Sequence, residues 1–409
     1  MKPFLNLKSV DEVLALIHGA TPLGRDVVAL ADSPGRRLAS PFIAPAALPG
    51  FVRSRMDGYA VRAADVFGAS ESAPALLAVS GDCQIGVPPQ LNLGAGEAAS
   101  IVTGAALPAG ADSVVMIEDS RDAGTSQIEI IRSVAPGENI VESDEDAKPG
   151  QLLIPAGRRI RAQEAGIFAA FGIQKIEVYQ QPRVAIIATG DEIVPIDTIP
   201  SACRLRDVNS WSLAAYCRLH GGLPLQMGIV PDERPQLEAR LKEAHSKADI
   251  IAVSGGSSAG MRDHTAEAFL SLPDAKLLAH GVAMRPGKPF ILAIAGGKYL
   301  FGLPGHVTSA LLCAHVFLGP LLARLQGQDQ PEPKPWIAAR LSRSIASAQG
   351  RRDYIRCRLE EDSDGFVAQP VRSPSAVLES MLAADGLVIC PENSEGLVKG
   401  QQVKFYPLR

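Results

Sequence analysis

Cysteine is scarce and scattered in this chain: six residues stand at 83, 203, 217, 313, 357 and 390, and no two form a Cys-x-x-Cys pair. Such spacing offers neither a disulfide framework nor a zinc site, and reduced thiols in a cytoplasmic protein are expected. His-Glu-x-x-His is missing, and the seven histidines are dispersed. No apolar run approaches the roughly 18 residues of a membrane span, and the N-terminus lacks a long apolar core, so no membrane partner is expected. A basic excess is missing as well. Lys and Arg total 40 against 44 Asp and Glu, for a net charge of −4, which argues against a broad nucleic-acid footprint. An anionic ligand would have to be drawn in by local Arg and Lys. Two phosphate-loop signatures also fail. Ser257 falls where the second glycine of Gly-x-Gly-x-x-Gly belongs, and the P-loop-like run from Gly281 to Lys288 has one residue too many and ends on Pro289.

What is present fits a soluble globular protein, with 46% hydrophobic and 21% charged residues spread over 409 positions, enough for two to four domains. The chain is organised around Ala248 to Asp263. Ile250 to Val253 reads as a buried strand of a parallel sheet, breaking into Ser254-Gly255-Gly256-Ser257-Ser258-Ala259-Gly260. Small side chains there let backbone N–H groups and hydroxyls approach an oxyanion, and Asp263 puts a carboxylate beside it. Open α/β sheets place their sites at such strand ends.

Along the chain, Ser9-Val-Asp-Glu12 is a capping box opening an amphipathic helix with Val13, Leu14, Leu16 and Ile17 inward. Leu30 to Ala39 reads as strand, turn, and helix start or strand. Asp57-Gly58 forms a turn into a strand at Tyr59. Residues 74–135 show short strands, clearest at Ile101 to Ala105 and Ser113 to Ile117, which suggests an inserted β-rich module. Arg161 to Phe171 has a helical period. From Pro182 strands and helices alternate to Gln326, the pattern of a doubly wound, mostly parallel α/β domain. Asn209 or Ser210 is expected to cap one of its helices, and another is expected around Thr265 to Leu270 with Asp263 as a possible cap. After a Pro/Gln linker, the strands of Trp336 to Arg409 suggest a small β-barrel or sandwich.

Thr189-Gly190-Asp191-Glu192, Asp207-Val-Asn209, Asp232, Ser254 to Asp263 and Pro304-Gly305 all fall at strand ends of the α/β domain. Arg285-Pro-Gly-Lys288-Pro adds two cations in a rigid turn. Carboxylates, an anion loop and cations together suit a phosphorylated ligand handled with a divalent metal.

The ordered set Ser54-Arg-Met-Asp57-Gly-Tyr-Ala60, Thr103-Gly104-Ala105, Glu145-Asp146, Thr189-Gly-Asp-Glu192, Ser254-Gly-Gly with Asp263, Pro286-Gly-Lys-Pro289 and Gly302-Leu-Pro-Gly305 resembles the molybdopterin molybdenumtransferase family (MoeA and the gephyrin E domain) over nearly the whole chain. The resemblance implies four subdomains: a split α+β N-terminal scaffold (1–50 and 137–181), an inserted β module (51–136), the α/β molybdopterin-binding domain (182–326) and a C-terminal β-barrel (335–409). It implies a homodimer, contact with other cofactor-biosynthesis proteins, and insertion of molybdate into adenylylated molybdopterin with Mg²⁺ assistance and release of AMP. Matched position by position, Asp57, Asp146, Glu192 and Asp263 would be catalytic. Thr103, Thr189, Gly190, Asp191, Asn209, Asp232, Ser254, Gly255, Gly256, Arg285, Lys288, Pro304 and Gly305 would bind substrate, and Glu192 with Asp207 would hold Mg²⁺.

Departures from the family pattern are local. Val141-Glu-Ser-Asp144 replaces the Arg and Gly that usually precede Glu-Asp, and Gly281 and Arg285 stand where two lysines are usual. His306-Val307 stands where Asn-Pro is usual. Two other functions are compatible with the residues: a catalytically altered paralogue acting as a scaffold, and a molybdopterin adenylyltransferase. The second would need only about residues 180–326.

Overall fold

The computed structural model describes residues 7–255, 259–329, 333–371 and 378–408, with 259–263 described for their backbone alone. It divides into two compact units, one of residues 40–156 and 162–174, the other of 1–39, 157–161 and 175–409.

The smaller unit is built on a six-stranded sheet of β1 (Gly58–Val61), β2 (Ala75–Cys83), β3 (Glu97–Ile101), β4 (Ser113–Met116), β5 (Ser120–Gly124) and β6 (Gln127–Ile130), in the order β4-β1-β3-β2-β6-β5. Gly58 opens β1 because nothing larger fits: a Cβ there would lie 1.9 Å from the Val115 carbonyl oxygen. The apolar run expected to be a strand from Ile101 to Ala105 ends at Ile101. Gly104 at φ +86 turns the chain, and the Ala105 N–H closes that turn on the Val102 carbonyl at 3.0 Å. Thr103 is therefore on a loop. Helix α1 (Ala162–Ala170) buries Phe168, whose ring meets Phe42 edge-on at 4.9 Å.

In the larger unit the N-terminal helix Val10–His18 carries its capping box. Ser9 Oγ accepts from the Glu12 N–H, and the Glu12 carboxylate accepts from the Ser9 N–H at 2.7 Å. Val10, Val13 and Ile17 are buried, while Leu14 and Leu16 are only partly so. The strand expected from Leu30 lies earlier, at Arg25–Ala29, and Pro34-Gly35 follows in a turn.

The α/β domain comprises β7 (Arg183–Thr189), α2 (Asn209–Leu219), β8 (Leu223–Val230), α3 (Arg234–Lys247), β9 (Ile250–Ser254), α4 (Ala259–Leu270), β10 (Lys276–His280), β11 (Ile291–Ala295), β12 (Lys298–Leu303) and α5 (Val307–Leu325). Sheet order is β8-β7-β9-β12-β11-β10. The first four strands are parallel, and β11 and β10 join antiparallel at one edge. All five residues of β9 are buried, as a central parallel strand covered on both faces must be.

Helix α5 is long and apolar enough to cross a membrane by length and composition, although no uninterrupted apolar run marks it. It is mostly buried inside the protein. Phe317 on α5 stacks on Phe290 at 4.6 Å, and truncating such a core ring costs about 3–5 kcal/mol. The helix widens to a π turn over Ala314–Leu318, just before Pro320. Proline has no N–H for the carbonyl four residues back and its ring crowds that carbonyl; the wider turn relieves both.

The C-terminal strands β13 (Ile337–Leu341), β14 (Arg352–Asp362), β15 (Gly365–Pro370), β16 (Gly386–Cys390) and β17 (Gln402–Pro407) run in the order β14-β15-β13-β17-β16. Pairing of β14 with β16 closes them into a five-stranded barrel. Met284–Arg285 of the α/β domain adds to the outside of β14, with Arg285 opposite Asp353.

Candidate functional site

The carboxyl ends of β7, β8, β9 and β12 converge on a cavity of about 760 Å³, lined by Thr189, Glu192, Asp207, Asn209, Asp232, Ser254, Gly255 and Gly305 among others. This is where a parallel sheet leaves backbone groups unpaired. Gly255 is required there. Its φ is +138, and a Cβ would lie 2.1 Å from the Thr189 carbonyl oxygen and 2.3 Å from its Oγ1. Asn209 ties the strand ends together, its Nδ2 donating to Ser254 Oγ at 2.7 Å and to the Gly305 carbonyl at 2.8 Å. Both amide protons are thereby used, and Asn209 Oδ1 remains a buried acceptor with no hydrogen-bond partner among the described residues, as does Thr189 Oγ1. Buried polar groups are normally satisfied, so this pair marks a surface built to meet a ligand.

The carboxylates of this cavity differ in state. Asp207, 8% exposed, accepts from the Ser210 N–H at 3.0 Å and so caps α2, a task the sequence pattern gave to Asn209 or Ser210. Asp191 accepts from the Asp232 N–H at 3.1 Å. Burial, followed by the charges of Asp191 and Glu192, raises the Asp232 carboxyl above the ordinary aspartate range, and its Oδ1 is buried with no hydrogen-bond partner among the described residues. Arg204 donates to the Asp191 carbonyl, and Arg206 to that of Thr198 at 3.1 Å. Both arginines line the cavity.

Among the described residues no group of three or more His, Cys, Asp or Glu side chains forms a metal cage. Mg²⁺ needs none. It binds through one or two carboxylates and substrate phosphates and keeps several waters. An unpartnered Asp232 oxygen in a cluster of like charges fits a cation that arrives with its phosphate.

A second cavity, of about 890 Å³, lies between the α/β domain and the barrel. Arg285, Lys288 and Pro304 line it from one side, and Arg351, Asp353 and Arg356 from the barrel. Asp353 is 4% exposed; its carboxylate lies 3.0 Å from Arg351 Nε and 3.9 Å from Arg285 Nη1. One buried carboxylate thus sits between two guanidinium groups, and the lining carries an excess of cations. Sequence reasoning missed Arg351, Asp353 and Arg356, and also Arg204 and Arg206. Only the alternation of Arg204-Leu-Arg206 just before Asp207 could have hinted at the last two.

Asp57 and Thr103 are brought together in the smaller unit. The Thr103 N–H and Oγ1 both donate to Asp57 Oδ1, at 2.7 and 2.8 Å, and hold that carboxyl below its usual range. Asp146 is exposed on a loop whose N–H groups at 146 and 147 bond to the Leu48 carbonyl, and its neighbour Glu145 pairs with Arg55. Gly256 lies outside the described residues, as does the side chain of Asp263. The backbone of α4 begins at Ala259, so Asp263 is inside the helix and is not its N-cap.

Three regions match family descriptions in order: the MoeA N-terminal region (domain I and II) over 8–172, a "Probable molybdopterin binding domain" over 185–324, and the MoeA C-terminal region (domain IV) over 338–408. A molybdopterin molybdenumtransferase of Nostoc sp. PCC 7120 is 32% identical, over 87% of this chain and 83% of the relative. The chain belongs to the molybdopterin molybdenumtransferase family. A second member, from Bacillus subtilis strain 168, is 31% identical over 93% of this chain and 89% of its own length. The crystal structure of a molybdopterin biosynthesis moeA protein from Pyrococcus horikoshii OT3 superposes with a TM-score of 0.85 at 28% identity, covering 98% of this chain and all of that one. Together the three regions span both units, and all described lining residues of the cavity at the strand ends except Leu378 fall in the matched molybdopterin-binding region.

Proposed function

We propose that this protein inserts molybdate into adenylylated molybdopterin and releases AMP, as a molybdopterin molybdenumtransferase in molybdenum cofactor biosynthesis. The observation that carries this is the pair of cavities: one lined by carboxylates and unpartnered polar atoms, its neighbour rich in cations. A two-substrate reaction joining an adenylylated organic molecule to an oxyanion needs both. The adenylylated substrate would occupy the first cavity, with Asn209 Oδ1 and Thr189 Oγ1 as acceptors for its N–H groups and Arg204 and Arg206 beside its phosphates. Molybdate would enter the second, on Arg285 and Lys288.

Glu192 and Asp207 would hold Mg²⁺, with Asp232 close by. Bound there, Mg²⁺ supplies neutralisation of the phosphate charge. A water or an oxygen of molybdate would attack the AMP phosphorus; the bond from that phosphorus to the bridging oxygen breaks, the molybdopterin phosphate keeps the bridging oxygen, and AMP leaves carrying the oxygen of the nucleophile. Glu192 and Asp263 are the carboxylates of the α/β domain that would orient the nucleophile and take its proton, and Asp57 and Asp146 of the smaller unit are proposed as further catalytic carboxylates. The four subdomain boundaries read from the sequence, a homodimer and a cytoplasmic location complete the proposal. Light scattering that gave one chain's mass at micromolar concentration would remove the dimer from it.

The test is chemical. Purified protein given adenylylated molybdopterin, Mg²⁺ and molybdate should release AMP without consuming ATP. A scaffold would release none, and an adenylyltransferase would consume ATP.

A further inference from the structure

A third hollow, of about 580 Å³, lies beside the carboxylate cavity, bounded by the edge strand β8, the start of α2 and the loop at 193–197. Ile193 and Asp207 line both, so the two hollows adjoin. Its walls are mainly apolar, from Ile193, Pro195, Ile196, Ile229 and Trp211. Trp211, one of two tryptophans in the chain, is 49% exposed there. A wide indole face left half in water within an apolar hollow suits a second planar ring laid upon it.

Ser210 supplies an independent observation. It is only 4% exposed and lines this hollow, and its Oγ has no hydrogen-bond partner among the described residues. Capping does not occupy that hydroxyl, because Asp207 already caps α2 by accepting from the Ser210 N–H. A buried hydroxyl can both donate and accept, and leaving it unmatched costs stability. Gln226 and Asp197 add polar groups at the rim.

The adenylylated substrate carries two ring systems joined through phosphates. In the carboxylate cavity Asn209 Oδ1 and Thr189 Oγ1 are acceptors for an N–H-rich pterin, but no Phe, Tyr or Trp stands among its described lining residues. The purine therefore has no stacking partner in that cavity, and one in the hollow next door.

We propose that this third hollow is the purine subsite: Trp211 stacks on the adenine of the adenylylated substrate, and Ser210 Oγ hydrogen-bonds a ring nitrogen. Pterin and phosphates stay in the carboxylate cavity, and the nucleotide crosses the shared edge at Ile193 and Asp207. The inference rests on the transferase reading above and adds which residues hold the nucleotide end.

The experiment starts from Trp336→Phe, which removes an exposed ring outside the hollow and leaves Trp211 as the one tryptophan. With Mg²⁺, AMP should quench its emission saturably. Ribose 5-phosphate, the same sugar phosphate without a base, should not. In otherwise wild-type protein, Trp211→Leu should raise the AMP dissociation constant about tenfold, the scale of one lost base–aromatic stack. Ser210→Ala should raise it about fivefold, the scale of one lost hydrogen bond. In the AMP-release assay each variant should raise KM for adenylylated molybdopterin by its own factor. The half-saturating molybdate concentration should not move. A merely structural role would shift both constants and lower the melting temperature, and that result would overturn the inference. So would AMP binding that leaves Trp211 emission unchanged, or equal quenching by ribose 5-phosphate. AMP release by Trp211→Leu at the parental KM would remove this inference alone. A wild type that releases no AMP would remove the transferase reading and the inference with it.

Discussion

Among the described residues the carboxylate cavity and the cationic cavity share His306, yet they are assembled in different ways. The first is made from consecutive strand ends of a single sheet, so Thr189, Asp232, Ser254 and Gly305 are each followed or preceded by the turn that exposes them. The second joins a short turn, Met284 to Pro289, to a barrel strand that begins some sixty residues later, and a buried carboxylate sits between two of its guanidinium groups. Local sequence encodes the first. Only long-range strand pairing creates the second.

Removing a carboxylate from the first cavity should have the largest effect. Glu192→Gln should lower AMP release by roughly 10²-fold, the scale of losing an acid–base or phosphate-handling carboxylate, while molybdate affinity in the second cavity stays within twofold. Loss of both activities together would show that the cavities do not divide the work.

Next comes the backbone that shapes the first cavity. Gly255→Ala forces a Cβ onto Thr189 and keeps a left-handed backbone, and should destabilise the protein by about 3 kcal/mol, the sum of strain and overpacking. Urea denaturation measures this, and an unchanged midpoint would mean that the strand ends part at no expense.

Lys288→Ala should raise the molybdate dissociation constant by about tenfold, the loss of one charge-assisted contact. Binding of AMP should not change. Equal weakening of both would again erase the distinction.

The smallest effect is on stability and depends on pH. Folding raises the Asp232 pKa, so the folded state holds that proton more tightly than the unfolded chain. Its stabilising contribution is complete below the unfolded value of about 3.9 and is lost as pH rises through the raised folded value. Asp232→Asn avoids that loss. It should melt about 1–3 °C above wild type at pH 7, with the gain shrinking as pH falls toward the ordinary aspartate range.

Much of this architecture is legible in the residues. The Ser9–Glu12 capping box, the Ile250–Val253 strand and the alternation from Pro182 onward appear where pattern and propensity place them, because each is decided within a few neighbours. Errors came where one residue overrides a run. Gly104 stops an apolar strand, and Asp207 takes the cap from Asn209, freeing Asn209 to tie two strand ends together. Arg351, Asp353 and Arg356 were invisible for a further reason. An Arg just before a barrel strand and an Asp two residues on look like ordinary surface charge until the pairing of Met284–Arg285 with β14 brings the α/β domain beside them.

The division of labour between the cavities is tested most directly by the rate of AMP release from adenylylated molybdopterin, with Mg²⁺, as molybdate concentration is varied in wild type and Lys288→Ala. AMP release should depend saturably on molybdate, with the half-saturating concentration about tenfold higher in the variant and that for the adenylylated substrate unchanged. AMP release that ignores molybdate, or a variant indistinguishable from wild type in both, would contradict it.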